Sequence, residues 1–357
     1  MSAILRRAGL RPLWRSAAGE PVVALAALPG GGIAAGGSEG ELRVLGADGT
    51  PRWADRLDDA LLTVSASPDG RRVGAHGMAS RRLWDDDGAR VASADCGWSA
   101  TAAWDDRSGA LAVGDGRHVR LLDRDGVVRW SSPRLSSTVT AVVWPRGRLR
   151  VAAAAYRGVT ILEPSTDRVT ATLAAPGSIS GLAASPSGRW VVGGSQDATL
   201  HGWKVDDGSD FRMSGFPTTV SLPTFAGTGR WLACCSGDVV TCWDFSGAGP
   251  TGREAAVLNG HGAPVTGLAW APGDRHLLVS GDEAGTVLLW RLDATVRPGA
   301  RPQPVGGLRG AAGDPGDPGD AADPGEAVTA LTVSGTRTAP VVHVGRRCGR
   351  VDTLAPA

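Results

Sequence analysis

The sequence predicts an all-β chain folded as a single closed β-propeller of about eight four-stranded antiparallel blades, with seven blades plus an irregular edge as the alternative. Three observations predict it: a period of about 40 residues, turn residues recurring every ~8 to 12 positions, and a large apolar residue closing the third strand of each period. No convincing helical stripe competes with the short Val/Leu/Ala runs.

The strand ends are Leu45, Trp84, Leu122, Leu162, Trp203, Trp243, Trp290 and Leu354, and their successive differences are 39, 38, 40, 41, 40, 47 and 64. Each unit reads as an apolar run, a Pro/Gly turn, a run of small apolar residues, a Gly-rich turn and the closing strand. The first turn is SPDG at Ser67–Gly70, WPRG at Trp144–Gly147, SPSG at Ser185–Gly188 and APGD at Ala271–Asp274. A unit of this size cannot bury both faces alone, so neighbours must stack, and a ring protects their edges.

Residues 1–357 therefore read as one domain. The last unit ends after its third strand at Leu354, so residues 11–17 are expected to supply its outer strand and close the ring. The long final step is expected to hold a Pro/Gly/Asp-rich insertion, residues 294–326, before the last blade. That stretched step is also what keeps the seven-blade alternative open.

Composition fits many tight turns anchored by indoles: 52 Gly and 23 Pro stand beside 13 Trp, 4 Phe and 1 Tyr. The net charge of +1 offers no basic surplus for a phosphate backbone, so nucleic acid is not an expected partner. No run approaches the ~18 apolar residues of a membrane span, and Arg11 and Arg15 interrupt any secretory core, so no membrane insertion and a cytoplasmic location are expected. The five cysteines, Cys96, Cys234, Cys235, Cys242 and Cys348, show no disulfide framework, which fits a reducing compartment.

The stretch Gly260–Trp290, with its Gly-His start, Pro-Gly-Asp turn, Ser-Gly pair and closing Trp, resembles a WD40 repeat. Unit five, Ile179–Trp203, is similar. In WD40 repeats a buried His, Ser or Thr, Asp and Trp brace the blade. That resemblance assigns His261, Ser280 and Trp290 to unit seven, where Ala284 replaces the expected Asp, and Asp197 and Trp203 to unit five, which lacks the His. No blade is then expected to carry the whole brace, and the ring should depend strongly on its closure. LGADGTPRW (Leu45–Trp53) and LDRDGVVRW (Leu122–Trp130) resemble quinoprotein-type propeller repeats, with one residue fewer between Leu and Gly. That likeness implies that Trp14, Trp53 and Trp130 on outermost strands dock on the next blade.

Motifs that elsewhere carry chemistry lack their structural setting here. GGSEG, Gly36–Gly40, matches a nucleophile elbow, but a strand follows Ser38 where a helix is required. GAGPTG, Gly247–Gly252, contains Pro250 and opens no helix able to hold a phosphate. Adjacent Cys234 and Cys235 point to opposite faces of a strand, and the six His are scattered, so no metal, no other cofactor and no catalytic residues are expected. The acids Asp314, Asp317, Asp320, Asp323 and Glu326 recur every third residue, as on one side of a polyproline helix, and read as a solvated segment.

On a propeller, the segments entering each innermost strand and the turns joining strands two and three converge on one face. Here they would present Met78, Trp98, Tyr156, Arg157, Phe216, Arg346 and Arg347, residue types enriched where interfaces gain their energy. The expected function is a non-catalytic scaffold, monomeric by itself, that binds one or more proteins through this face. The alternative is a quinoprotein-like enzyme or small-molecule binder that uses the central channel.

Overall fold

Short apolar runs punctuated by glycine produce strands that reverse tightly and pair with their sequence neighbours. The computed structural model describes residues 9–17, 19–146, 150–309 and 324–357. Among these the chain is strand and loop apart from two single-turn 3-10 segments, Pro164–Thr166 and Pro324–Glu326.

The strands form seven sheets. The first contains Val22–Ala27, Ile33–Gly37, Glu41–Leu45 and Pro51–Arg56; the second Leu61–Ala66, Arg72–Gly77, Ser80–Asp85 and Arg90–Asp95; the third Ala102–Trp104, Leu111–Asp115, His118–Leu122 and Val128–Ser131. The fourth runs through Ala141–Val143, Val151–Glu163, Arg168–Ala184, Trp190–Ser195, Thr199–Lys204 and Asp210–Met213. The fifth holds Ser221–Phe225, Trp231–Ser236, Val239–Asp244 and Ala256–Leu258, and the sixth Val265–Trp270, Leu277–Asp282, Val287–Arg291 and Gly306–Leu308. The seventh joins Val328–Gly335, Pro340–Arg346 and Arg350–Pro356 to Leu10–Ala17.

The expectation of about eight separate four-stranded blades is thereby corrected to seven blades, counted as hydrogen-bonded sheets. Six have four strands and one has six. Sequence units four and five share the fourth sheet because Arg168–Ala184 continues unbroken from one unit into the next, and Tyr156 pairs with Ser178 across their boundary. The count matches the seven-blade alternative, but the irregularity lies mid-chain, whereas the last sheet is regular. The segment 294–326 is also not wholly an insertion, since Gly306–Leu308 is the fourth strand of the sixth sheet. Asp314, Asp317, Asp320 and Asp323 lie outside the described residues.

Second strands such as Ile33–Gly37, Leu111–Asp115 and Trp231–Ser236 are buried along their whole length. Covered on both faces, they read as continuous runs of Val, Ala, Gly and Cys with no polar alternation. The first strand of each sheet packs on that of the next, except that in the fourth sheet it is Arg168–Ala184 that packs on Ser221–Phe225, and Val22–Ala27 packs on Val328–Gly335. Side-chain hydroxyls tie this inner ring together: Thr140 donates to the Ile179 carbonyl (2.9 Å), Thr266 to that of Val328 (2.6 Å), and Thr329 to that of Val22.

On the outside the seventh sheet is completed by Leu10–Ala17, antiparallel to Arg350–Pro356 from the Leu10–Pro356 pair to Ala17–Arg350. Indoles bridge neighbouring repeats. The Trp14 Nε1 donates to the Ala47 carbonyl (2.8 Å), Trp53 to that of Asp86 (3.1 Å) and Trp130 to the Asp167 carboxylate (2.7 Å). Trp14 lies over the turn at Gly49, whose φ is +83° and where an added Cβ would sit 2.5 Å from the ring, so this position needs glycine for both reasons.

Candidate partner-binding face

At one end of the ring, turns between second and third strands meet the segments that enter the first strands. Hydrogen bonds join the two sets. The Met78 N–H donates to Asp59 (3.0 Å) and the Ala79 N–H to the same carboxylate (3.1 Å). The Gly116 N–H donates to the Trp98 carbonyl (3.0 Å). The Ser136 hydroxyl donates to the Tyr156 carbonyl (2.9 Å), while Ser137 accepts from the Tyr156 N–H (2.7 Å). Backbones that carry exposed side chains are thus pinned, which lowers the ordering cost of binding.

Three of the residues singled out in the sequence are strongly exposed: Met78 at 48%, Trp98 at 43% and Tyr156 at 53%. Among the described residues these are the only exposed Met, Trp, Tyr or Phe side chains, and all three lie at this end. Arg157, next to Tyr156, and Arg347, on a turn of the seventh sheet, are also exposed. Arg157 is held at φ +69°, a left-handed conformation that costs a non-glycine residue about 1 kcal/mol. Phe216 is half-buried against Trp243, with ring centroids 6.2 Å apart, beside a recess of about 240 Å³ lined by Pro217, Val239 and Val257.

Arg346 departs from expectation. It is 1% exposed, its Nε donates to Asp352 (2.6 Å), and its Nη1 donates to the carbonyls of Gly285 and Glu326. Asp352 is equally buried and also receives Arg350 (2.8 Å) and Arg15 (3.2 Å). Arg346 locks the sixth sheet to the seventh and offers nothing to a partner. A similar lock supports Trp98: Asp115 accepts from the Gly97 N–H (2.6 Å) and pairs with Arg81 (3.3 Å) and Arg120. Burial works to raise the Asp115 pKa, but the Gly97 N–H and the Arg120 guanidinium outweigh it, and the net shift is downward.

The brace residues divide. His261 Nε2 bonds the Ser280 hydroxyl (2.6 Å), the Trp290 Nε1 donates to the same oxygen (2.8 Å), and His261 Nδ1 bonds Asp282 (2.8 Å). This corrects the expectation that no blade carries all four groups, because Asp282, two residues before Ala284, supplies the carboxylate. Trp203 is instead stacked on His201 at 4.1 Å, while Asp197 bonds Thr199 and Arg212, so Asp197 and Trp203 are not joined in one set.

At the opposite end, a cavity of about 750 Å³ is lined by Leu13, Leu28, Pro29, Pro68 and Val341, with Ser334 at its wall. Ser334 bonds His343 Nε2 (2.8 Å), and Thr353 bonds Nδ1 (2.9 Å). Burial depresses the His343 pKa to about 4, and the imidazole has a hydroxyl where a catalytic triad would place a carboxylate. A Ser65–His76 pair at 3.0 Å recurs within the second sheet, both residues buried, which identifies such pairs as a structural feature of the repeat. Ser38 lies in a strand-to-strand turn, and Gly247–Gly252 in a loop. Among the described residues no three His, Cys, Asp or Glu side chains gather as a metal site, and all five cysteines are free thiols. No helix there is long and apolar enough to cross a membrane.

What reading the sequence missed is the hydroxyl ring. Its signal is an apolar residue followed by Thr or Ser on or just before a strand of the inner ring, at Val139–Thr140, Ile179–Ser180, Val265–Thr266 and Val328–Thr329.

Comparison with known proteins finds similarity to WD40-repeat propellers. The family model "WD domain, G-beta repeat" matches residues 167–204 and 252–291. The crystal structure of the C-terminal WD40 domain of Sif2 is similar with a TM-score of 0.78, at 16% identity, over 97% of this chain and 98% of that one. The nuclear distribution protein PAC1 of Yarrowia lipolytica is 32% identical over 111 residues, which is 29% of this chain and a quarter (25%) of that protein. These comparisons lend no support to the quinoprotein likeness of units one and three. The repeats, the sheet architecture and these matches together show a β-propeller fold that carries WD40 repeats at residues 167–204 and 252–291 and resembles the WD40-repeat propellers.

Proposed function

We propose that the protein is a non-catalytic, cytoplasmic scaffold that binds another protein through the end of the ring carrying Met78, Trp98 and Tyr156. WD40 propellers typically serve as protein-interaction scaffolds and are usually non-catalytic, which sets the general expectation. The observation that carries the specific reading is that the exposed aromatic and Met side chains of the described residues are confined to one face, on backbones pinned by Asp59, Gly116, Ser136 and Ser137. Exposed anchors on an ordered surface are the groups from which interfaces draw most of their energy.

The test is affinity capture with the triple variant Met78→Ala/Trp98→Ala/Tyr156→Ala beside the parent protein. The side chains are exposed, so the variant should keep its thermal unfolding midpoint while losing its stoichiometric partner. A partner retained at parental yield by a folded triple variant refutes the proposed face.

A further inference from the structure

The part of this face that spans the third sheet and the start of the fourth is a basic arc with one exposed acid, Asp95, at its flank. Trp98 is joined through Gly116 to Arg117, whose guanidinium donates to the carbonyls of Leu135 (2.8 Å) and Ser136 (2.6 Å). Ser136 in turn holds Tyr156, which is followed by Arg157. Arg134 stands beside Leu135 and, like Arg157, is exposed. Neither the Arg134 nor the Arg157 guanidinium has an ion pair or hydrogen bond among the described residues.

The acids near the arc are differently disposed. Asp115 is buried and consumed by Arg81, Arg120 and the Gly97 N–H. Asp95, three residues before Trp98, is the exposed acid that flanks the arc. Around Met78 the balance is reversed: Asp58 pairs with Arg82, and Asp59 is spent on backbone N–H groups. The free positive charge thus gathers where two of the three exposed anchors stand.

Resting on the proposed partner face, we propose that the arc Trp98–Arg117–Arg134–Tyr156–Arg157 receives an acidic peptide segment of the partner. Its carboxylates meet Arg134 and Arg157 while an apolar side chain lies between Trp98 and Tyr156. Arginine suits this role because its planar fork binds a carboxylate through two hydrogen bonds. Free guanidinium groups at a rim also steer an oppositely charged partner and set specificity. A nucleic acid would meet the same chemistry, but a chain of net charge +1 with so few cations at the site lacks the extended basic track that backbone neutralisation requires.

The experiment pans a randomised dodecapeptide library on the full chain and measures one selected peptide by fluorescence anisotropy. It is measured against the parent, Arg134→Glu/Arg157→Glu, and Arg347→Glu as a control on the same face. The expected pool is rich in Asp and Glu with an aromatic or Leu residue. Its peptide should lose about tenfold or more in affinity on the double variant and about twofold or less on the control. A neutral or basic pool, no enrichment, equal affinity for the double variant, or tighter binding of a single-stranded oligouridylate probe would overturn the inference. If the cellular partner is lost by the Met78/Trp98/Tyr156 variant yet retained by the double arginine variant, the face stands and the acidic segment falls.

Discussion

The hydroxyl of Thr329, on the first strand of the last sheet, donates to the carbonyl of Val22, on the first strand of the first sheet, 307 residues away in sequence. The ring is thus closed on its inner side by a side chain, as it is on its outer side by the pairing of Leu10–Ala17 with Arg350–Pro356. Thr329 also reaches the Gly345 carbonyl (3.1 Å), so Thr329→Val removes a donor from two acceptors while conserving shape. The expected loss in denaturant unfolding is about 1 kcal/mol. Thr338→Val, on an exposed turn, should leave the midpoint unchanged.

Arg346 and Arg347 adjoin in sequence but differ in role. Truncating Arg346 leaves Asp352 buried with only the more peripheral Arg350 and Arg15, and Arg346→Ala is expected to cost about 3 kcal/mol. Arg347→Ala should leave stability unchanged. Urea titrations of the two variants check the contrast, and equal midpoints would remove Arg346 from the sheet-to-sheet lock.

In the sixth sheet, Ser280→Ala strips a partner from the Trp290 indole and from His261 at once, both of them buried. The expected cost is on the order of 2 kcal/mol, because two buried polar groups lose their match. A full-chain unfolding curve gives the number, and a change under about 0.5 kcal/mol would show that the brace bears no weight.

His343 sets a pH dependence. Its folded pKa, lowered to about 4 by burial, lies below the ordinary histidine value of 6.5, so the unfolded chain takes up the proton first as pH falls. Stability should be fully present above pH ~6.5 and decline towards pH ~4, at up to about 1.4 kcal/mol per pH unit. His76, lowered to about 3 chiefly by burial and further by Arg81, adds a loss that extends lower. Stability curves of His343→Gln and the parent should converge as pH drops through this window. Parallel curves would mean that His343 is not held neutral.

The all-β class, the repeat and its WD40 character were legible because they rest on local signals: turn residues at fixed spacing and an apolar residue closing each third strand. The blade count was not, because where one sheet ends is decided by pairing across units. Tyr156 against Ser178 is invisible in a period. Arg346 sits on what reads as an exposed turn, and its burial comes from Asp352, Glu326 and Gly285, which other elements bring to it. Asp282 was missed because the family spacing pointed two residues further on, to Ala284. Met78 stands exposed on a two-residue turn, Trp98 on an entering segment and Tyr156 at an irregularity within the strand Val151–Glu163, each held from below by neighbouring backbone and side chains.

The most direct test of the scaffold account is hydrogen–deuterium exchange mass spectrometry of the protein free and in complex with the partner it captures from cell extract. Protection is predicted at residues 78–79, 96–101, 134–138 and 156–158, with the turns at 28–32 and 67–71 unchanged. Protection confined to those opposite turns, around the apolar cavity of Leu28, Pro29 and Pro68, or a bound small molecule with no protein partner, would contradict it.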